Sequence, residues 1–117
     1  MEWKKIEDLD LTFVPAEFRN DTPVGWYLIL VDDPSCMLPG HKQLTAKTVK
    51  LNCRMFENDE TFPPYQKDYF DDGRGVVKKT RDGAVLVYFF DMYGFDEIYA
   101  YIPFEEMLTE YNSLIKK

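Results

Sequence analysis

The side chains best suited to nucleophilic chemistry are Cys36 and His41, the latter the only histidine of the chain. A cysteine nucleophile needs a base within hydrogen-bond reach and a third group that orients that base. Both residues fall in an irregular stretch, 34–46, with a turn at Pro39-Gly40 and no evident orienting partner. The reading is an apolar thiol and a solvated imidazole, and a small enzyme using the 34–46 loop is kept as an alternative. Cys53 falls on the apolar side of an alternating segment and is expected in the core.

Metal chemistry finds no support. Two cysteines and one histidine match no zinc spacing. A calcium loop with Gly73 as its turn glycine would take Asp68 and Asp72 as ligands. It would also put Phe70 at a ligand position and Lys79 in place of the bidentate glutamate. The adjacent carboxylates Asp32/Asp33, Asp71/Asp72, Asp96/Glu97 and Glu105/Glu106 offer acid–base pairs only if both point into one site. Neighbours on a strand point to opposite faces, and Glu105 and Glu106 suit a helix N-terminus as they stand. Gly73-Arg74-Gly75 lacks the spacing and the lysine of a phosphate-binding loop. No catalytic residue, metal ligand or cofactor is therefore assigned. The expectation is a binding protein rather than an enzyme.

Two surfaces remain. One is acidic and aromatic: Tyr93, Asp96, Glu97, Tyr99 and Tyr101, flanked by Asp91 and Glu105. Aromatic anchors with a polar rim dominate interface energetics, so this stretch is the expected partner-binding face. The other is basic: Lys50, Arg54, Lys78, Lys79 and Arg81, a patch only if the strands carrying them are neighbours. Lysines on an edge strand that guard against aggregation explain those residues as well.

These residues must be positioned by an α+β fold. The reading is a mainly antiparallel sheet of about five strands, 24–31, 47–55, 76–81, 84–90 and 95–102, and a C-terminal amphipathic helix over 103–115. Asp82-Gly83 predicts a type I′ turn and Asp91-Met92-Tyr93-Gly94 a type I turn, hence three consecutive strands as two hairpins in series. Segment 84–90 is apolar on both sides and predicts a central strand; 47–55 alternates, with Lys50 and Arg54 on its outer side. In 95–102, simple alternation puts Ile98, Ala100 and Ile102 on one face and Glu97, Tyr99 and Tyr101 on the other. Pro103 opens the helix, whose apolar stripe runs Phe104, Met107, Leu108, Tyr111, Leu114 and Ile115. Trp3, Ile6 and Leu9 are spaced as a short helical face in an N-terminal arm expected to pack its aromatics on the sheet. Within the long segment 56–75, a helix is expected to start at Pro64.

The 117 residues make one domain, and 45% hydrophobic content excludes a disordered chain. The longest apolar run, Val24–Val31, is too short for a bilayer, so no membrane role is expected. Lacking a secretory signal or a cysteine framework, the chain reads as cytoplasmic with reduced thiols, and the Asn20-Asp21-Thr22 sequon as silent. Net charge is −7, and the charges come in blocks: 34–56 and 73–81 hold bases and no acid, whereas 82–115 hold seven acids and no base. Acidity of this kind makes nucleic acid an unlikely partner, although a nucleic-acid or nucleotide module using the basic patch is the second reading. The first is a small acidic inhibitor that blocks a partner enzyme with a basic surface, of the immunity-protein or phage anti-defence type. A monomer and a weak homodimer fit equally.

Overall fold

The computed structural model describes residues 2–32 and 44–115, with the side chains of 110, 111 and 113–115 left aside. The chain forms β1 (Lys4–Lys5), β2 (Thr22–Asp32), β3 (Leu44–Phe56), α1 (Pro64–Tyr69), β4 (Val76–Lys79), β5 (Val85–Phe90), β6 (Ile98–Pro103) and α2 (Phe104–Ile115). The strands make one antiparallel sheet in the order β1-β6-β2-β3-β5-β4. The α+β reading holds, with a sixth strand at the N-terminus. Residues 4–5 pair with β6, and only Ile6–Asp8 coil into a 3-10 turn where a short helix was expected.

Directly opposed residues of antiparallel strands share a face, so the register sorts the core. One face carries Ile29, Val31, Leu51, Cys53, Tyr88 and Tyr101, all buried in one cluster. The N-terminal arm covers it. Leu9 is buried there, Ile6 and Leu11 pack against it, and the Tyr88 hydroxyl donates to the Phe13 carbonyl. The arm contributes aliphatics rather than the aromatics expected, since Trp3, Phe13 and Phe18 are exposed. On the other face Val85, Val87 and Phe56 meet Phe62 and Phe70, delivered by the segment between β3 and β4. The Phe56 and Phe62 rings stack at 4.9 Å. As its apolar sequence implies, β5 is an interior strand covered on both faces.

The β4–β5 hairpin forms, but its turn is not type I′. Gly83 alone has a positive φ (+89°), and its N–H donates to the Thr80 carbonyl at 3.1 Å. This is the type I turn with a left-handed glycine that typifies three-residue hairpin loops. The second expected hairpin does not form: β6 pairs with β1 and β2, and β2 and β3 lie between it and β5. The 91–94 turn instead puts Met92 in the left-handed region (φ +68°), and Phe95–Glu97 make a 3-10 turn rather than strand. Helix α1 begins at Pro64, as its position implied, and α2 contacts β2 and β6. Pro103 ends β6 one residue before α2 begins. Along the stripe, Phe104 and Met107 are half-buried while Leu108 is exposed. No helix among the described residues is long and apolar enough to cross a membrane.

Candidate functional site

The acidic-aromatic stretch occupies the connection from β5 into β6. Asp96 and Glu97 lie on the 3-10 turn and are exposed. The Glu97 Oε1 accepts from the Gly94 N–H at 3.3 Å and stands 3.8 Å from the Arg74 Nη1. Tyr99 is 51% exposed and Tyr93 half-buried. Tyr101 contradicts its expected place. It is 4% exposed, packed at 5.8 Å against the Tyr27 ring inside the arm-covered core.

The cause is a bulge. Leu30 pairs with Ala100 and Val31 with Ile98, which leaves Tyr99 as the extra residue of β6. A bulge reverses side-chain parity on either side of it. Ile98 and Tyr101 therefore enter the same core cluster, and the alternation read from the sequence breaks at Tyr99. Burial raises the Tyr101 pKa above the ordinary phenol value, with Asp8, Asp10 and Glu106 adding to the shift and Lys4 opposing it.

The structure brings to this loop residues that were not assigned to it. A cavity of about 310 Å³ opens at the end of β5, lined by Tyr69, Phe70, Arg74, Phe90, Met92 and Tyr93 among others. Phe90 packs on Phe95 at 5.0 Å, and the Arg74 guanidinium lies 5.3 Å over the Tyr69 ring. Tyr69, Tyr65 and Met92 are 51%, 72% and 90% exposed. Asp68, Asp71, Asp72, Asp96 and Glu97 are exposed on the same two segments that carry this aromatic and thioether surface. The only sequence sign of this junction was that 65–74 repeats the tyrosine-and-aspartate composition of 91–99. Their contact is tertiary. The turn Phe70–Arg74 packs on the Phe95–Glu97 turn, and a Cβ on Gly73 would stand 3.5 Å from the Asp96 Cβ. Asp91 faces back into the protein, its Oδ1 accepting from the buried Asn52 amide at 2.7 Å and its Oδ2 lying 3.9 Å from the Lys50 Nζ.

The basic residues are not brought together as one patch. The strands β3 and β4 that carry them are separated by β5. Lys78 reaches the arm-covered face and donates to the Leu11 carbonyl at 3.0 Å, while Lys79 pairs with Asp59 at 2.7 Å. Arg54 bonds Asp21 and Gln66 and lies 5.3 Å over the Phe89 ring. Lys50 is turned toward Asp91, and Arg81 stands exposed in the hairpin loop. Lys78 and Lys79 do occupy an edge strand, where they guard the unpaired backbone.

Cys53 is fully buried beside Tyr88, and burial pushes its thiol up to about 11, far from the thiolate a nucleophile requires. Cys36 and His41 lie outside the described residues. Among the described residues, no group of three or more histidine, cysteine or acidic side chains is placed to hold a metal. The junction presents exposed rings and a thioether beside an open cavity, with exposed carboxylates on the same two segments. Compared with known proteins, the chain matches no family model, no curated protein and no solved structure.

Proposed function

We propose that this protein is a small acidic binding protein that blocks a partner enzyme by occupying its basic surface, in the manner of an immunity protein or a phage anti-defence inhibitor. The observation that carries the reading is the junction of the 65–74 and 91–99 segments. There Tyr69, Met92 and Tyr99 stand exposed among Asp68, Asp71, Asp72, Asp96 and Glu97. Large exposed apolar side chains rimmed by charge mark interaction surfaces. Carboxylates on that rim speed the encounter with a positive cleft, while the rings supply the buried anchors. A cleft that binds a polyanionic substrate is the chemistry such a surface fits. A cytoplasmic setting accords with this reading.

The test compares the wild-type protein with an Asp96→Lys/Glu97→Lys variant, both immobilised and exposed to a native host lysate. The expected result is an enzyme retained by the wild type, released by salt and inhibited when the purified protein is added back. The variant, still cooperatively folded in thermal unfolding, retains none of it. Equal retention by both proteins, or retention without inhibition, would overturn the proposal.

A further inference from the structure

The sheet has an open edge in its middle. Strand β3 runs from Leu44 to Phe56, yet β5 pairs only with Leu51–Phe56. The Asp91 N–H adds one bond more, to the Lys50 carbonyl at 3.1 Å, and there the chain leaves for the 91–94 turn. Along 44–49 the outer side of β3 meets no strand among the described residues, whereas its inner side is paired with β2 throughout. The N–H and C=O of one residue in an antiparallel strand point to the same edge, and those of the next residue to the other. Because the Lys50 carbonyl points outward, so do the backbone groups of Leu44, Ala46 and Thr48, while those of Thr45, Lys47 and Val49 turn to β2. The side chains of Leu44, Ala46 and Thr48 are exposed on one face of the sheet, Leu44 at 47%.

A row of unpaired donors and acceptors is a template for another strand unless shortness, charge or proline blunts it. The outer strands of the sheet are blunted: β1 has two residues, and β4 carries Lys78 and Lys79. The 44–49 stretch, Leu-Thr-Ala-Lys-Thr-Val, has β-branched residues and no proline, glycine or acid. It is also its own complement. Two such edges related by a two-fold axis at Ala46 run antiparallel, with Ala46 facing Ala46 and Leu44 facing Thr48 on either side. All three pairs are of the kind that exchanges both hydrogen bonds, about six in all. The exposed face of this joint carries no charge, and on the opposite face Lys47 of each copy stands beside Thr45 of the other. An axis at Lys47 would set the two ammonium groups directly opposite, which is unfavourable, so charge selects the Ala46 register. Segment 34–56 holds no acid, so the joint brings none of the carboxylates of this acidic chain against each other. Two-fold joints between identical patches are the commonest form of self-association.

We infer that the 44–49 edge of β3 binds the same edge of a second copy, centred on Ala46, so that one sheet runs on through a two-fold dimer. The joint contains no residue of the 65–74 and 91–99 segments and does not depend on the function proposed for them.

Sedimentation equilibrium of the full chain over about a hundredfold range of concentration is expected to show a reversible monomer–dimer equilibrium. Over that range the amide exchange of Ala46 and Thr48, followed by NMR, slows by about fivefold or more, while that of Thr45 and Lys47 is unchanged. Ala46→Pro removes the two central donors of the joint and no donor of the β2–β3 ladder, at a place where an edge strand accepts proline. It is expected to be monomeric at every concentration. Thr45→Glu, facing Lys47 of the second copy, tightens the dimer by about threefold or more, and Thr45→Lys weakens it by as much. That reversal decides the matter if Ala46→Pro fails to fold. A wild type that stays monomeric overturns the inference in either of two ways. Freely exchanging Ala46 and Thr48 amides would mark an edge open to a foreign strand, and amides protected at every dilution an edge covered by the chain itself. A dimer that survives Ala46→Pro, or that is indifferent to the charge at position 45, overturns it as well.

Discussion

At the residue scale, two tyrosines of β6, two positions apart, separate interface from core. Tyr101 is buried against Tyr27 and Leu9, so Tyr101→Ala is expected to destabilise the fold by about 3–5 kcal/mol, as large buried aromatics do. Tyr99 is the exposed bulge residue, and Tyr99→Ala is expected within about 0.5 kcal/mol of the wild type while weakening partner binding. Chemical denaturation of the two variants checks both. Cys53 and Tyr88 make the second residue-scale case. Their pKa values are pushed up from 9.0 and 10.0 to about 11 and about 12, in each case first by burial. The folded state then holds these protons at a pH where the unfolded chain has lost them, so stability is full below pH 9 and falls through the window up to about 12. Urea midpoints measured in a Cys36→Ser background should fall steadily across that window. A midpoint that stays flat there would show that neither group is buried in its neutral form.

At the scale of elements, the packing of the Phe70–Arg74 turn against the sheet depends on the absence of a side chain at Gly75. A Cβ there would stand 2.6 Å from the Phe70 ring and 2.8 Å from the Tyr88 carbonyl oxygen, both held in the core. Gly75→Ala is therefore expected to cost about 1–3 kcal/mol, the range for overpacking, and to loosen the cavity wall that Phe70 forms. A cavity-facing probe such as Tyr69 fluorescence should shift in that variant before global unfolding. The β4–β5 hairpin and the start of α1 were legible because their signals are local: Gly83 in the left-handed region, and Pro64 opening a helix. The β5–β6 connection was not legible. Compact turn residues at 91–94 say that the chain reverses, but not which strand the next segment will meet.

On the scale of the whole molecule, the N-terminal arm meets the last strand and the start of α2. The short β1 pairs with β6, Lys4 pairs with Glu106, and the arm beyond it crosses the sheet to Leu11 and Phe13. Deleting residues 1–13 removes the cover of one face, and the expected result is a protein that binds a hydrophobic dye and unfolds with a reduced denaturant slope. Most strand pairings join distant segments, so refolding is expected on the millisecond-to-second scale rather than in microseconds. Stopped-flow fluorescence from Trp26 checks this directly.

The sequence by itself determined the α+β class, the interior strand β5, the burial of Cys53, the helix at each of two prolines and the acidic excess around the 91–106 region. Each rests on composition or on a period that a short window contains. Only the tertiary structure decided the sheet order, and with it the fate of both candidate surfaces. By inserting β5 between β3 and β4 it divided the basic residues. Through a single bulge it sent Tyr101 inward and left Tyr99 outside, and it set the 65–74 tyrosines and aspartates beside Asp96 and Glu97. The physical reason is the same throughout. Parity along a strand and adjacency across a sheet are fixed by which backbone groups pair, and that choice is made by the whole core rather than by any one segment.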